Sequence, residues 1–275
     1  GLQVQSIILF RDLTSKSKGL EVFCNGENMN DFYINIADTN ICIKPMYEAV
    51  YEFCKDYMCE ECEADFTVET TPEDIAFERA YEETHGIHKQ TIPKDYPDSY
   101  LEIVSVYRKI AEELIDRDTI LLHGSSISID GNGMIFIADS GVGKSTHSRH
   151  WQECFGDRVV TINDAKPLIK ADEDGATIYG TPWSGKMGLN TNVKVPLKFI
   201  FKLNRGDDRV ENIDKNKMWE VLMQQVYKSK DIMKMQKTIS IIDRLTANVP
   251  VYNIYCTDSV DAAKCVYEFI EDSLR

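Results

Sequence analysis

The sequence predicts an α/β protein: a mixed, twisted sheet with flanking helices, preceded by a small α+β unit. Three observations carry this. From residue 96 onward, apolar runs of strand character are interleaved with stretches of helical spacing. Tight-turn sequences such as DGNG (Asp130 to Gly133) stand between some of these runs, so hairpins occur beside crossovers and the sheet is mixed. Residues 1–95 carry shorter strands around two helical stretches, a pattern suited to a separate small unit. The 275 residues suffice for a principal domain, read as 96–275, with a smaller partner, read as 1–95.

In chain order, QSIILF, LEVFC and DFYINIAD read as strands. The last alternates Phe32, Ile34 and Ile36 against Tyr33 and Asn35, as a half-buried strand does. PMYEAVYEFCKDYM has helical spacing, ADFTVETT reads as a strand, and TPEDIAFERAYEETHG as a helix with Pro72 early and Gly86 at its exit. IHKQTIPKDYPDS is a loop with two prolines. DSYLEIVSVYRKIAEELIDRD then forms a helix. Ser99 and Glu102 fit a capping box, and Leu101, Val104, Tyr107, Ala111, Leu114 and Ile115 make one apolar stripe.

TILLHGSSISIDGNGMIFIA gives successive strands with a hairpin turn at DGNG. KSTHSRHWQEC is a helix, VVTIND a strand ending in polar residues, and KPLIKADEDGATIYG a hairpin around Asp172 to Gly175. VPLKFIFKL is a buried strand. DKNKMWEVLMQQVYKS and DIMKMQKTISIIDRLTAN are helices, VPVYNIYC a strand, and DSVDAAKCVYEFIEDSLR a capped helix.

A formal net charge of −14 makes nucleic acid and anionic membranes poor partners, although a small anion can still enter a locally positive pocket. No apolar run reaches the length of a membrane span. The N-terminal stretch has no basic region and no small-residue cleavage pattern, so the protein is expected in the cytoplasm with its eight cysteines reduced. Oligomeric state stays open, a homo-oligomer included. Cys54, Cys59 and Cys62 form a C-x4-C-x2-C run that would need a fourth ligand, Cys24 or Cys42, to hold zinc or a cluster. Ordinary thiols fit better: Cys54 shares an apolar helical face with Tyr47, Val50 and Tyr51.

GMIFIADSGVGKSTHSRHW contains a strand, a glycine-bearing loop and a helix start. Gly141 and Gly143 let the backbone curl so that several N–H groups face one concavity, and the helix adds its own free N–H groups. Lys144 can reach the outer phosphates of a nucleotide, and Ser145 can place its hydroxyl on Mg²⁺. Ala138 stands where the common phosphate-loop pattern begins with glycine, a loss only if that position needs positive φ. Asp164, ending the strand after the loop helix, is placed to hold the metal or orient an attacking hydroxyl. His123 ends a strand whose hairpin returns into the loop strand, which suits charge stabilisation or proton handling. His147 and His150, with Arg149, read as surface or substrate-adjacent residues of the loop helix. YGTPWSGKMGLNTNVKVPL is either a closing or acceptor-binding loop, with Trp183 and Lys186, or an irregular connection.

LLHGSSISIDGNGMIFIADSGVGKST followed by VVTINDAKPLI resembles the catalytic domain of the HPr kinase/phosphorylase family, over residues 119–205. The resemblance implies a phosphoenolpyruvate carboxykinase-like nucleotide-binding fold. It implies ATP bound through Ser140, Gly141, Val142, Gly143, Lys144, Ser145 and Thr146, with Mg²⁺ on Ser145 and Asp164. It makes Asp164 the first carboxylate of the family's acidic pair and His123 its catalytic-site histidine. Lys186 or Arg205, from their location, would neutralise charge in the transition state. Three departures matter: Ala138 for the first loop glycine, Thr146 for a glutamate, and Ala165 for the second acid. Residues 1–95 do not match the HPr enzyme's N-terminal domain. The expected activity is transfer of the γ-phosphoryl group of ATP to a serine-like hydroxyl on a protein, peptide or small molecule. Three rivals remain: a nucleotide-binding regulator inactivated at Ala165; a carboxykinase-like lyase, for which no convincing His/Asp/Lys metal ligand set is present; and a cysteine metal module with an incidental loop, which would carry stoichiometric zinc or iron.

Overall fold

The computed structural model describes residues 30–85, 96–139, 141–185 and 187–274. The strands expected in QSIILF and LEVFC lie outside them, as do the boundary at residue 95 and two of the expected site residues, Ser140 and Lys186.

The first sheet grows from a hairpin. β1 (Phe32–Ile36) and β2 (Thr39–Lys44) pair antiparallel across Ala37 and Asp38, at φ 55° and 56°. A two-residue turn with both centres left-handed matches the twist of the strands it joins. Phe32, Ile34 and Ile36 point into the core, as their alternation predicts. TNICIK gave no such signal, because Ile41, Cys42 and Ile43 are all buried and the period is lost. β3 (Met58–Cys59) and β4 (Phe66–Glu69) complete the order β3-β1-β2-β4. The core is shared by α1 (Glu48–Cys54), α2 (Pro72–His85) and α3 (Asp98–Leu114). The apolar stripe is buried throughout, and its members on α3, Leu101, Val104, Tyr107, Ala111 and Leu114, pack on this first core although they follow residue 95.

The capping box does not form. α3 starts after Pro97 with no side-chain cap, and Glu102 is fully buried. Its carboxylate instead accepts hydrogen bonds from the Met46 and Tyr47 N–H groups and the Thr70 hydroxyl, tying the approach to α1 and the end of β4 to α3. Burial raises the Glu102 pKa, and these bonds oppose the rise. Glu102→Ala is expected to cost about 2–3 kcal/mol in urea unfolding, since it orphans two N–H groups and a hydroxyl. Glu102→Gln, which keeps an acceptor, should recover more than half. A folded pKa above the unfolded value means the Glu102 contribution is complete at acid pH and declines as pH rises through the raised value. Glutamine should remove that dependence.

The second sheet runs β5 (Thr119–Leu121), β9 (Leu168–Ala171), β10 (Ala176–Tyr179), β11 (Lys194–Arg205), β7 (Asn132–Ile137), β6 (Ser125–Ile129), β8 (Val159–Asn163). β11 is its spine. It pairs antiparallel with β10 through 194–196, parallel with β7 through 197–202, and parallel with β13 (Val251–Cys256) through 200–205. β12 (Arg209–Asn212) lies antiparallel on β13; its polar, largely exposed RVEN sequence gave no strand signal.

Helices cover both faces, which explains why GMIFIA and VPLKFIFKL are apolar without alternation. On one face α5 (Lys215–Gln225) and α6 (Ile232–Asn248) pack with Ile135, Ile137 and Ile200. On the other, α4 (Lys144–Phe155) and α7 (Val260–Ile270) pack with Met134, Phe136 and Phe201. Asp214 and Asp231 cap α5 and α6, each accepting from two backbone N–H groups.

Among the described residues, no helix is long and apolar enough to cross a membrane. The C-x4-C-x2-C run does not converge on one point. Cys54 is fully buried, its thiol pKa pushed up to about 12 by burial, while Cys59 and Cys62 are half-buried neighbours. Among the described residues no group of three His, Cys, Asp or Glu side chains is placed to hold a metal ion.

Candidate functional site

Strand directions bring the expected residues to one rim of the large sheet. β6 runs antiparallel to both β7 and β8, with Ser125 opposite Phe136 and Ser126 opposite Asn163. The start of β6 therefore lies beside the ends of β7 and β8. His123, the loop after β7 and Asp164 meet there. A chain of sheet pairings, not sequence proximity, brings them together.

The loop has the predicted build. Gly141 and Gly143 sit at φ 83° and 120°, conformations that side-chain-bearing residues rarely adopt. Gly143 is the N-cap of α4, and its carbonyl accepts from the His147 N–H. Ala138 is buried and is not among the residues with positive φ, so its backbone does not require glycine. Its carbonyl accepts from Lys144 Nζ at 3.0 Å, which holds the ammonium under the loop. Lys144 is 8% exposed, and burial lowers its pKa to about 8 against the opposing charge of Asp139. Ser145 is exposed at the start of α4, and Thr146 is half-buried behind it. Arg205, at the end of β11, donates to the Gly141 and Val142 carbonyls and so braces the loop from the other side.

His123 is held at three points around its backbone and ring. Its N–H donates to the Gln225 carbonyl, the Gly124 N–H donates to the Ala165 carbonyl, and its own Nδ1 bonds the same oxygen at 3.2 Å. A carbonyl only accepts, so Nδ1 carries the proton and Nε2 the lone pair. Burial, then the charges of Lys144 and Lys166, push the pKa down to about 3 despite the Ala165 bond. The ring is therefore neutral in this state, with the Nε2 lone pair free of a proton.

Asp164 is buried, with its carboxylate turned to the following loop. Oδ1 accepts from the Gly185 N–H and Oδ2 from the Met187 N–H, while its own N–H donates to the Leu189 carbonyl. Burial raises its pKa, and the backbone bonds oppose the rise. Ala165 packs against the same loop: a Cβ on Gly185 would lie 3.0 Å from the Ala165 Cβ. A larger side chain at residue 165 would press on Gly185.

Two residues absent from the sequence reading, and one whose role differs from it, complete the site. Asn163 is fully buried; its amide donates to Thr181 and Trp183, and its oxygen accepts from the Ala165 and Lys166 N–H groups. Lys166 is fully buried, its ammonium 4.9 Å from the centre of the Tyr107 ring. Trp183, read as a lid or acceptor aromatic, is a core anchor: it is buried, contacts Tyr107 and donates to the Ile103 carbonyl. The large apolar side chains that the loop exposes are Met187 and Leu189, 52% and 46% accessible. His147 and His150 are not surface residues; they are 3% and 6% exposed, whereas Arg149 is exposed and pairs with Glu153.

No protein-family model matches the chain, and no curated protein matches it. Among solved structures it is similar to an HPr(Ser) kinase/phosphatase from Coxiella burnetii, at 10% identity and a TM-score of 0.34, over 56% of this chain and 99% of that one. The likeness is distant, and neither family nor activity follows from it.

Proposed function

We propose that the protein is an ATP- and Mg²⁺-dependent phosphotransferase that moves the γ-phosphoryl group of ATP to a serine-like hydroxyl on a protein, peptide or small molecule. One observation carries the reading. A loop with two left-handed glycines and a buried lysine at a helix start meets a strand-end aspartate and a neutral histidine on one sheet rim. Backbone N–H groups, the α4 N-terminus and Lys144 would hold the phosphates, and Arg205 would keep the loop in shape. Asp164 would orient the acceptor hydroxyl, and His123 Nε2 has the lone pair to receive its proton. A phosphate beside His123 would raise its low pKa by opposing the effect of Lys144.

The donor set fits Mg²⁺. Ser145 offers an exposed hydroxyl, and each Asp164 oxygen, with one N–H bonded, retains acceptor capacity for a metal or its water. When bound, the ion would neutralise phosphate charge. Exposed Met187 and Leu189 beside Asp164 suit an acceptor with an apolar part.

A nucleotide-binding regulator is the second reading. Ala165 supplies no acid, and the Asp164 carboxylate already serves the 185–187 backbone. Calorimetry with ATP, with and without Mg²⁺, combined with γ-phosphoryl transfer to a panel of serine peptides and small alcohols separates the two. The kinase reading expects transfer, and Asp164→Asn should reduce it about 100-fold or more while Mg²⁺-free ATP binding changes little. Tight binding without transfer to any acceptor favours the regulator. Absence of binding defeats both.

A further inference from the structure

The C-x4-C-x2-C run takes no part in the nucleotide site, and burial withdraws Cys54 from solvent chemistry. Cys59 and Cys62 are placed differently. Cys59 ends β3, a two-residue edge strand, opposite Tyr33 of β1. Both cysteines are half-buried, and residues 60–64 belong to no helix or strand. The Cys59 thiol is pushed up by burial, then by the charge of Cys62 and a hydrogen bond with it. Those last two causes need the sulfurs side by side.

The neighbouring groups define what this pair can do. Among the described residues no third ligand joins it to form a metal site, so its chemistry is that of two thiols. Cys42 is not a competing partner. Tyr33 pairs with Cys42 on one side and Cys59 on the other, so the full width of β1 separates them, about 9–10 Å between backbones and beyond disulfide reach. Two residues separate Cys59 from Cys62, so closing a bridge between them costs little chain entropy. The surroundings are acidic. Asp56, Glu60, Glu61, Glu63 and Asp65 are all exposed, against Lys55 within the same stretch and Arg117, which donates to the Asp65 carbonyl. Such a field repels anionic reagents and attracts cationic ones. The pair also follows Tyr57, whose hydroxyl donates to Asn190 Oδ1 at 3.2 Å, so it lies on the segment that touches the loop around Asp164.

We propose that Cys59 and Cys62 are a dithiol modification site, oxidised to an intrachain disulfide by exchange with a small, positively charged disulfide. One protein thiol, as its thiolate, attacks a sulfur of the small disulfide. That S–S bond breaks, a small thiolate leaves, and a mixed disulfide remains. The second protein thiol, as its thiolate, attacks the protein-side sulfur; the Cys59–Cys62 bond forms and the other small thiolate leaves. The two protons lost by the protein end on the two released thiols, and the two electrons pass to the small disulfide. Burial around Cys59 makes its thiolate a poor leaving group, so the bridge resists reduction once made. The proposal is independent of the nucleotide reading.

The experiment treats the full, reduced chain with cystamine, a dication, or with oxidised glutathione, an anion, and follows intact mass and the tryptic peptide that spans both cysteines. Each rate is divided by that of N-acetylcysteine with the same reagent, which removes intrinsic reactivity. The peptide should lose two hydrogens and keep no adduct. The normalised rate should be about tenfold or more higher for cystamine at low salt, with the gap closing at high salt. Replacing Glu60, Glu61 and Glu63 by Gln should narrow the gap without preventing the bridge. Cys59→Ser and Cys62→Ser should each retain a mixed disulfide on the remaining thiol. A lasting adduct in the parent, or a bridge to any other cysteine, would overturn the site. Equal normalised rates at low salt would overturn its preference for a cationic disulfide.

Discussion

Lys144→Ala is expected to weaken ATP binding about 100-fold and to abolish measurable phosphoryl transfer. The side chain is held under the loop by the Ala138 carbonyl, 3.0 Å from Nζ, so little ordering remains to be done when an anion arrives. It is also buried, and its pKa of about 8 records how poorly its charge is solvated. A phosphate oxygen would supply both a hydrogen bond and the missing countercharge. Hydrogen bonds to charged groups contribute about 1.5–3 kcal/mol, and the upper part of that range is a factor of about 100.

The same burial gives the prediction a pH signature. Below about pH 8 the ammonium is already protonated in the free protein. Above it, binding must first recover a proton, so affinity should fall by as much as about tenfold per pH unit. The ratio of parent to variant affinity isolates this effect, because titration of the ligand cancels. That ratio should be flat below pH 8 and shrink above it. A ratio near one at pH 7, or one independent of pH up to 10, would exclude Lys144 as the phosphate contact.

The site was legible where its chemistry is local. A strand, a loop and a helix start lie within consecutive residues, and glycine, lysine and serine are each required there for a distinct physical reason. The departure at Ala138 also resolves locally, since the backbone there has no positive φ. Other residues were opaque because long-range packing assigns their roles. Glu102 had the spacing of a capping box, yet the loop at Met46 and Tyr47 captures it from another part of the chain. His147 and His150 stood in a polar-looking HSRH stretch. The missed signal was Trp151, one turn after His147 on the same helix face, which had to be buried. Trp183 lay in a glycine-rich run that reads as an irregular loop, and only the Tyr107 side of α3 shows why it turns inward. Strand order supplied the rest, because His123 and Asp164 share a rim only if β6 stands between β7 and β8.

Asn163→Ala should be the most damaging single substitution for stability, about 3–5 kcal/mol, although Asn163 touches no expected ligand. Its amide joins β8 to the 181–183 segment through the Thr181 carbonyl, the Thr181 hydroxyl and the Trp183 carbonyl. Its oxygen receives the Ala165 and Lys166 N–H groups. Alanine leaves two N–H groups and the facing carbonyls without their partner in a place that is 0% exposed. The hydrophobic loss is small; the cost comes from unsatisfied backbone, at about 1–3 kcal/mol for each group that water cannot reach. Asn163→Asp offers a sharper comparison. Its carboxylate keeps the acceptor for residues 165 and 166 but turns negative oxygen toward the Thr181 and Trp183 carbonyls. Protonation restores a donor, so this variant should gain stability relative to the parent as pH falls through its carboxyl pKa, while the alanine variant should not. Thermal and urea unfolding across pH measure both effects. A loss below about 1 kcal/mol for Asn163→Ala would mean that the segment holding Asp164 is fixed by Trp183 packing instead of this amide.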